Sequence, residues 1–212
     1  MKKIILLGDS IREGYDKYVK LAFDGVASVY YPKENCRFAA YTLRHLYDWK
    51  NDMQCGDDVD LVHWNAGLWD NLIMPDGKHH TPIEVYGEYI HRVYDIIRIL
   101  FPEAKIIFAT STPVREQLFL GLLKRYNADI ERYNAKAKQI LQGFACEIND
   151  LYETVKGCPE SFYSDTTHLY TEEGTRLLTN RVIQALEASL DIKAKELDYT
   201  ELFANPNLIV GL

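Results

Sequence analysis

Short apolar runs that alternate with helical patterns constrain the fold of this chain more than any other feature. Four runs have the length and composition of buried strands, and a fifth candidate lies between the first two. Strands that alternate with helices pair in parallel through right-handed crossovers, so we predict a three-layer α/β sandwich around a parallel sheet. Ligands bind at the carboxyl ends of the strands in such sheets. The five predicted strands span residues 3–7, 27–31, 59–64, 105–110 and 144–148.

Three stretches carry signals for the start of a helix. Residues 81–84, Thr-Pro-Ile-Glu, combine a cap, a proline and a capping-box glutamate. Asn127 is placed to cap a second helix that Gly143 would end, and Thr171 is placed to start a last one. The apolar positions expected to face the core are Ile83, Ile90, Val93, Ile97, Leu100, Ile130, Tyr133, Ala137, Ile140, Leu141, Leu178, Val182 and Leu186.

The length of 212 residues suits one α/β domain and is short for two. We therefore predict a single domain over residues 1–212, whose tail from about residue 193 has no assignable element. The 24 basic and 31 acidic residues give a net charge of −7, and no basic run is long enough to follow a phosphate backbone. These features argue against a nucleic-acid partner.

The four cysteines have neither the spacing of a zinc site nor that of a disulfide framework, which favours a reducing compartment. The apolar residues after Met1 are too few for a secretory signal, and no segment is long enough to cross a bilayer. We therefore expect a cytoplasmic protein with no membrane partner.

Ser10 directly follows the first predicted strand, at the edge where an open sheet presents ligands. Gly8 permits a sharp exit from the strand, and a helix starting near Ser10 would aim free backbone N–H groups at an oxyanion beside the hydroxyl. This position suits a nucleophile. Residues 10–13 also match a capping box, so the same serine is equally consistent with a helix cap.

A second cluster of reactive side chains lies just before the last predicted helix, at Asp165 and His168. A serine hydroxyl needs a base to take its proton, and the base needs a partner that fixes its tautomer. One turn of chain brings residues three apart together, so Asp165 and His168 can fill these two roles. Alternatively, Asp165 caps a turn and His168 is a surface histidine. The joint occurrence of this pair and a strand-end serine favours a catalytic Ser10–His168–Asp165 triad.

The chain resembles the SGNH (GDSL-like) hydrolases, because residues 8–10 are similar to their first sequence block and Asp165-x-x-His168 to their last. The resemblance spans nearly the whole chain and includes Tyr133-Asn134 and Asn149-Asp150. It implies a flavodoxin-like α/β/α sandwich with a five-stranded parallel sheet. It also implies hydrolysis of esters or thioesters through an acyl-enzyme, without a metal or other cofactor.

Two blocks depart from the family pattern, and both concern the oxyanion hole. The second block supplies a backbone N–H from a glycine, whereas residues 35–38 here read Asn-Cys-Arg-Phe. The third block is usually Gly-x-Asn-Asp, and this chain keeps Gly67 and Asp70 but has Trp69 at the asparagine position. A lost oxyanion donor costs roughly 3–4 kcal/mol of transition-state stabilisation, so a substitute donor or a weak activity is expected.

The candidate oxyanion donors are the Ser10 N–H, the N–H or guanidinium of Arg37, and the Asn65 amide. Arg37 is also suited to gripping an anionic group of a substrate. Structural roles are equally consistent for both residues: Arg37 can start a helix, and Asn65 can bond backbone at the strand end.

Three aromatic residues next to the catalytic blocks, Trp69, Tyr163 and Tyr170, are candidates for holding the apolar faces of a sugar, although a core role suits each of them as well. His63 is expected to pack in or beside its strand, and His79 and His80 to lie in a loop. Neither group has the spacing of a metal site.

We therefore expect a serine esterase that removes acetyl or another short acyl group from a carbohydrate or similar small polar ester. Two alternatives remain open. One is a non-catalytic ligand-binding protein with a degenerate oxyanion hole, which Trp69 and Arg37 favour. The other is a thioesterase or acyltransferase that uses the same triad.

Overall fold

Five parallel strands form the central sheet of the structure, which is a computed structural model and describes residues 1–211. The strand order is β2-β1-β3-β4-β5, and each predicted strand is present with its ends shifted by no more than two residues. The parallel α/β prediction is therefore confirmed. The strands are β1 (Lys2–Leu7), β2 (Ala27–Tyr30), β3 (Leu61–Trp64), β4 (Lys105–Ala109) and β5 (Cys146–Asn149).

Helices cover both faces of the sheet. On one face α3, α4 and α5 pack side by side, and on the other α7 packs between α2 and α6. Short 3-10 turns occur at Glu116–Leu118, Glu160–Phe162 and Pro206–Ile209. The α-helices within residues 1–211 are α1 (Ser10–Glu13), α2 (Asp16–Ala22), α3 (Ala39–Met53), α4 (Ile83–Leu100), α5 (Asn127–Leu141), α6 (Leu151–Val155), α7 (Glu172–Leu190) and α8 (Tyr199–Ala204).

The side chains of β1 alternate between two separate hydrophobic cores. Ile4 and Leu6 pack into the core beneath α2 and α7, whereas Ile5 and Leu7 pack into the core beneath α3 and α4. All four are fully buried. A parallel strand covered by helices on both faces must be apolar at successive positions, which explains the continuous apolar run in the sequence.

The sheet register brings the ends of three strands together at one edge. Leu7 at the end of β1 pairs with Trp64 at the end of β3, and Trp64 pairs with Phe108 in β4. The segments after β1 and β3 therefore leave the sheet side by side.

Two helix starts differ from the sequence-based prediction. Pro82, not Thr81, immediately precedes α4, and Thr81 instead donates its backbone N–H to the Asp70 carbonyl at 3.0 Å. Asn127 is the first residue of α5, and its amide exchanges hydrogen bonds of 2.8 and 2.9 Å with the backbone of Val114. Both predicted caps were wrong because long-range loop contacts engage these residues.

The two remaining helix signals had opposite outcomes. The Thr171 hydroxyl accepts the Gly174 N–H at 3.2 Å, which confirms the predicted cap of α7. The prediction that Gly143 ends α5 was wrong, because the helix ends at Leu141 and Gln142 follows it in a right-handed conformation. That ending needs no left-handed glycine.

The tail that had no sequence assignment packs against α2 and α7. The Lys195 N–H donates to the Ala22 carbonyl at 2.8 Å, and Tyr199 and Leu202 of α8 are buried. The ring of Phe203 stacks on Tyr18 with the centroids 6.0 Å apart. Within residues 1–211, no helix combines the length and apolar character needed to span a membrane.

Candidate active site

Ser10 is the first residue of α1 and stands three residues beyond the end of β1. The carboxylate of Asp9 caps this helix by accepting the Ile11 N–H at 3.0 Å. The alternative in which Ser10 serves as the cap of a capping box was therefore wrong. Because Asp9 satisfies the helix end, the Ser10 hydroxyl remains available for another partner.

That partner is His168. Its Nε2 lies 2.7 Å from the Ser10 Oγ, and its Nδ1 lies 2.7 Å from Asp165 Oδ2. The structure thus brings the three candidate catalytic residues into one hydrogen-bonded chain. This is the order of nucleophile, base and orienting carboxylate that activates a serine.

A tight turn fixes Asp165 beside the histidine. Its Oδ1 accepts the backbone N–H groups of Thr167 at 2.7 Å and His168 at 2.8 Å. Partial burial raises the pKa of Asp165, but these hydrogen bonds and the imidazole outweigh it and hold the pKa below its usual value. The carboxylate therefore stays ionised next to His168.

Asn65 packs tightly against the turn that carries Ser10. A Cβ atom on Gly8 would lie only 1.9 Å from Asn65 Oδ1, so this position admits no side chain. The Asn65 Nδ2 donates to Asp9 Oδ1 at 3.3 Å, and the backbone N–H of Asn65 donates to the Leu7 carbonyl. The structure thus places Asn65 as a support of the nucleophile turn.

The backbone N–H of Arg37 already has an acceptor, and its guanidinium lies over an aromatic ring. Its N–H donates to Asn35 Oδ1 at 2.8 Å, and its guanidinium lies 4.6 Å from the ring centroid of Tyr41. The backbone of Arg37 is left-handed, with φ of 53°, a region that favours glycine. The alternative in which Arg37 only starts a helix was wrong, since α3 begins at Ala39.

The segment after β3 forms a tight turn in which Gly67 and Asp70 have structural roles. Gly67 has φ of 143°, and a Cβ there would lie 2.9 Å from Ser111 Oγ. The buried Asp70 carboxylate accepts the Ala39 N–H at 3.1 Å, and burial raises the pKa of Asp70 to about 6. Trp69 is partly buried, and its indole N–H has no acceptor among residues 1–211.

The two candidate tyrosines occupy different places. The Tyr163 hydroxyl donates to the Pro113 carbonyl at 3.1 Å. Tyr170 lies against the triad, because its ring stacks on His168 and its hydroxyl donates to the Ser10 carbonyl. Tyr170 is therefore positioned to support the candidate catalytic residues Ser10 and His168 from the side.

The remaining histidines lie outside the triad. His63 is fully buried in β3, as expected, with Nε2 3.1 Å from Asn149 Nδ2, and burial lowers the pKa of His63 to about 3. His79 and His80 lie in the loop before α4, near Asp129 and Phe38 respectively. Within the described part of the chain, no three His, Cys, Asp or Glu side chains are grouped so as to hold a metal ion.

Arg125 is a charged residue at this edge that the sequence analysis missed. Its Nε donates to the Leu68 carbonyl at 2.7 Å. Burial raises the pKa of Asp9, and the positive charge of Arg125 opposes that rise. Only a long-range contact places it here. In the sequence it follows the leucine-rich residues 118–123 and the cation Lys124, and no local signal separates the two cations.

No protein-family model and no curated protein sequence matches the chain. Solved structures do match. A lipase/acylhydrolase from Enterococcus faecalis is 19% identical, with 93% of this chain and 100% of that chain covered and a TM-score of 0.69. A GDSL-like lipase from Bacteroides thetaiotaomicron is 16% identical, with 89% of each chain covered and a TM-score of 0.68.

The acetyl xylan esterase AlAXEase is 17% identical, with 87% of this chain and 99% of that chain covered and a TM-score of 0.68. These matches cover nearly the whole of both chains, so they include the five-stranded parallel sheet. The chain has the fold of the SGNH (GDSL-like) hydrolases.

Proposed function

We propose that this chain is a serine-dependent ester hydrolase that forms an acyl-enzyme on Ser10. The observation that carries the proposal is the 2.7 Å contact between Ser10 Oγ and His168 Nε2, with Asp165 on the far side of the imidazole. A free hydroxyl is a weak nucleophile, and a positioned base is what makes it reactive at neutral pH.

In the proposed reaction, Ser10 Oγ attacks the ester carbonyl while His168 Nε2 accepts the hydroxyl proton. The imidazolium then gives this proton to the leaving alcohol, and the acyl group stays on Ser10. Water, deprotonated by the same histidine, attacks the acyl-enzyme; the bond from the acyl carbon to Ser10 Oγ breaks, the acid leaves, and the imidazolium returns its proton to Ser10 Oγ. Asp165 holds the imidazole in one tautomer throughout.

The backbone N–H of Ser10 supports this reaction as an oxyanion donor. It is the first N–H of α1, and no described residue accepts a hydrogen bond from it. The first N–H groups of a helix lack partners within the helix, so they are available to a negative oxygen formed beside the hydroxyl.

For the substrate, we propose an acetyl or other short acyl ester of a carbohydrate or similar polar molecule. One structural neighbour is an acetyl xylan esterase. Trp69 is partly buried in the turn after β3, where a flat ring can pack against the apolar face of a sugar.

The reaction class is tested with a fluorophosphonate probe, which reacts with activated serines. The wild type should be labelled, and Ser10→Ala and His168→Ala should not be. Labelling of Ser10→Ala at the wild-type rate would remove Ser10 from the mechanism.

The substrate class is tested by comparing acetylated xylo-oligosaccharides with p-nitrophenyl esters of increasing chain length. We expect the highest kcat/KM for acetyl esters, and a further gain when the alcohol is a sugar. A steady rise of kcat/KM with acyl length would contradict the short-acyl proposal.

A second candidate function is non-catalytic binding of a carbohydrate, which Trp69 at the asparagine position favours. Calorimetric titration with xylo-oligosaccharides distinguishes the two. Binding by a wild type that neither hydrolyses esters nor reacts with the probe would favour the binding protein.

A further inference from the structure

Arg125 lies in the loop between β4 and α5, which leaves the sheet at the carboxyl ends of the strands, where Ser10 also lies. Its Nε donates to the Leu68 carbonyl at 2.7 Å. Leu68 immediately precedes Trp69, the residue at the position of the family's asparagine. This contact fixes the base of the guanidinium beside the turn that normally supplies the side-chain oxyanion donor.

The charge of Arg125 also reaches the turn that carries the nucleophile. Asp9 is fully buried directly before Ser10; burial raises the pKa of its carboxyl group, and the positive charge of Arg125 opposes that rise. Electrostatic interactions weaken with distance. The guanidinium therefore lies near the buried carboxyl group that precedes Ser10.

The donors of Arg125 are largely unused. A guanidinium carries five N–H donors. The buried Arg12 uses its three nitrogens on Asp16 and on the carbonyls of Gly8, Pro32 and Glu34. Within residues 1–211, the bond to Leu68 is the one hydrogen bond that Arg125 makes, and its guanidinium lies 5.8 Å from the ring centroid of Phe119. A partly buried cation with two unmatched nitrogens is suited to a ligand that brings an acceptor.

The other groups considered as oxyanion donors are placed differently. The N–H of Arg37 donates to Asn35, its guanidinium lies over Tyr41, and the Asn65 amide donates to Asp9. Arg125 differs from the exposed Arg37 because it is partly buried and because a hydrogen bond ties it to the carbonyl next to Trp69.

We propose that Arg125 is a catalytic residue that donates hydrogen bonds to the carbonyl oxygen of the bound ester, in place of the absent asparagine. This proposal rests on the proposed function. As Ser10 Oγ bonds to the carbonyl carbon, the electron pair of the C=O double bond moves onto oxygen. The Ser10 proton goes to His168, and Arg125 keeps all its protons. A charged donor strengthens as the oxygen becomes negative, so it favours the transition state over bound substrate.

The test compares Arg125→Met and Arg125→Lys with the wild type on p-nitrophenyl acetate, a neutral ester. We expect Arg125→Met to lower kcat by about 10²- to 10³-fold with KM changed less than about threefold, as for the loss of an oxyanion donor. Arg125→Lys should lose less, because it keeps the charge. Guanidinium ion at millimolar concentration should partly restore Arg125→Ala, and sodium chloride at equal ionic strength should not.

The matched control is Arg132→Met, which removes the same charge from an exposed position on α5 where Arg132 pairs with Asp129. It should keep the wild-type kcat. Thermal unfolding of each variant shows whether it is folded. A wild type that neither hydrolyses esters nor reacts with the fluorophosphonate overturns both proposals. An active wild type with an Arg125→Met kcat within about threefold of its own overturns the role of Arg125 alone.

A double variant separates catalysis from simple charge balance with Asp9. If Arg125 contacts the substrate oxygen, Arg125→Met should lower kcat by the same factor in an Asp9→Asn background as in the wild type. Recovery of kcat in the double variant would overturn the proposal and assign Arg125 to offsetting the Asp9 charge. The proposal would also be overturned if Arg125→Met changed only KM, and only for esters that carry a carboxylate. Arg125 would then bind an anionic group of the substrate.

Discussion

The ring of Tyr170 stacks on the imidazole of His168, with the ring centroids 4.7 Å apart and the planes inclined by 24°. The Tyr170 hydroxyl donates to the Ser10 carbonyl, so one side chain contacts both the nucleophile and its base. Gly14 makes room for this arrangement, because a Cβ there would lie 2.6 Å from the tyrosine ring. Tyr170 thus links the segment after β1 with the one before α7.

This contact predicts that Tyr170 positions the triad. Tyr170→Phe keeps the ring and loses one hydrogen bond, worth about 1 kcal/mol, so kcat on p-nitrophenyl acetate should fall less than about tenfold. Tyr170→Ala frees the imidazole and should lower kcat by about 10²-fold, since small misplacements of reacting groups are costly. Tyr199→Phe, which loses a hydroxyl contact to Asn180 far from the triad, should leave kcat unchanged. Equal kcat for all three variants would contradict the prediction.

Gly8→Ala should destabilise the protein by about 2–3 kcal/mol, because the new Cβ overlaps Asn65 Oδ1 and forces buried groups to move. Gly121→Ala is the control, since nothing lies within 4 Å of a Cβ there, and it should be nearly neutral. Urea denaturation measures both. Adding Asn65→Ala should recover part of the loss in Gly8→Ala, and strict additivity of the two changes would show that the overlap is not the cause.

Thr171→Ala should lower the free energy of unfolding by about 1 kcal/mol. The hydroxyl accepts the Gly174 N–H at 3.2 Å and donates to the Phe162 carbonyl at 2.8 Å, and alanine leaves both groups without this partner. Thr171→Ser keeps the hydroxyl and should lose much less. A urea midpoint that is equally low for both variants would show that the methyl group, not the cap, stabilises this helix end.

The raised pKa of Asp70 predicts that the free energy of unfolding depends on pH. Burial raises its folded-state pKa to about 6 from 3.8, so between these values the folded protein binds more protons than the unfolded chain, and stability falls as pH rises. Asp70→Asn removes this effect. Relative to the wild type, the variant should gain up to roughly 3 kcal/mol between pH 4 and pH 7, for a shift of about two units.

The exposed Asp58 provides the control for that experiment. A hydrogen bond from Lys3 lowers the pKa of Asp58, so its contribution is present at neutral pH and is lost as the pH falls. The difference between Asp58→Asn and the wild type should therefore be nearly constant from about pH 4 to pH 7 and should change in the opposite direction only at lower pH, below the ordinary pKa of 3.8. A pH-independent difference between Asp70→Asn and the wild type would contradict the burial of an ionisable Asp70.

Local sequence patterns predicted the elements of the sheet better than the ends of the helices. The run at β1 was recognisable because a strand buried on both faces is apolar at every position. Thr81 and Asn127 carried good local cap signals, yet the structure uses both residues in contacts with distant loops. Cap preferences are worth about 1 kcal/mol, and a buried long-range hydrogen bond competes at that scale.

The sequence by itself determined the alternation of strands and helices, the position of Ser10 at a strand end, and the Asp165-x-x-His168 pair before the last helix. Each of these features depends only on residues that are close together in the sequence. Only the tertiary structure decided that Ser10 and His168 meet at 2.7 Å, that Asn65 supports the nucleophile turn, and that Arg125 reaches the same edge. These contacts join residues 56 to 158 positions apart, and strand order and register, not local propensity, bring such residues together.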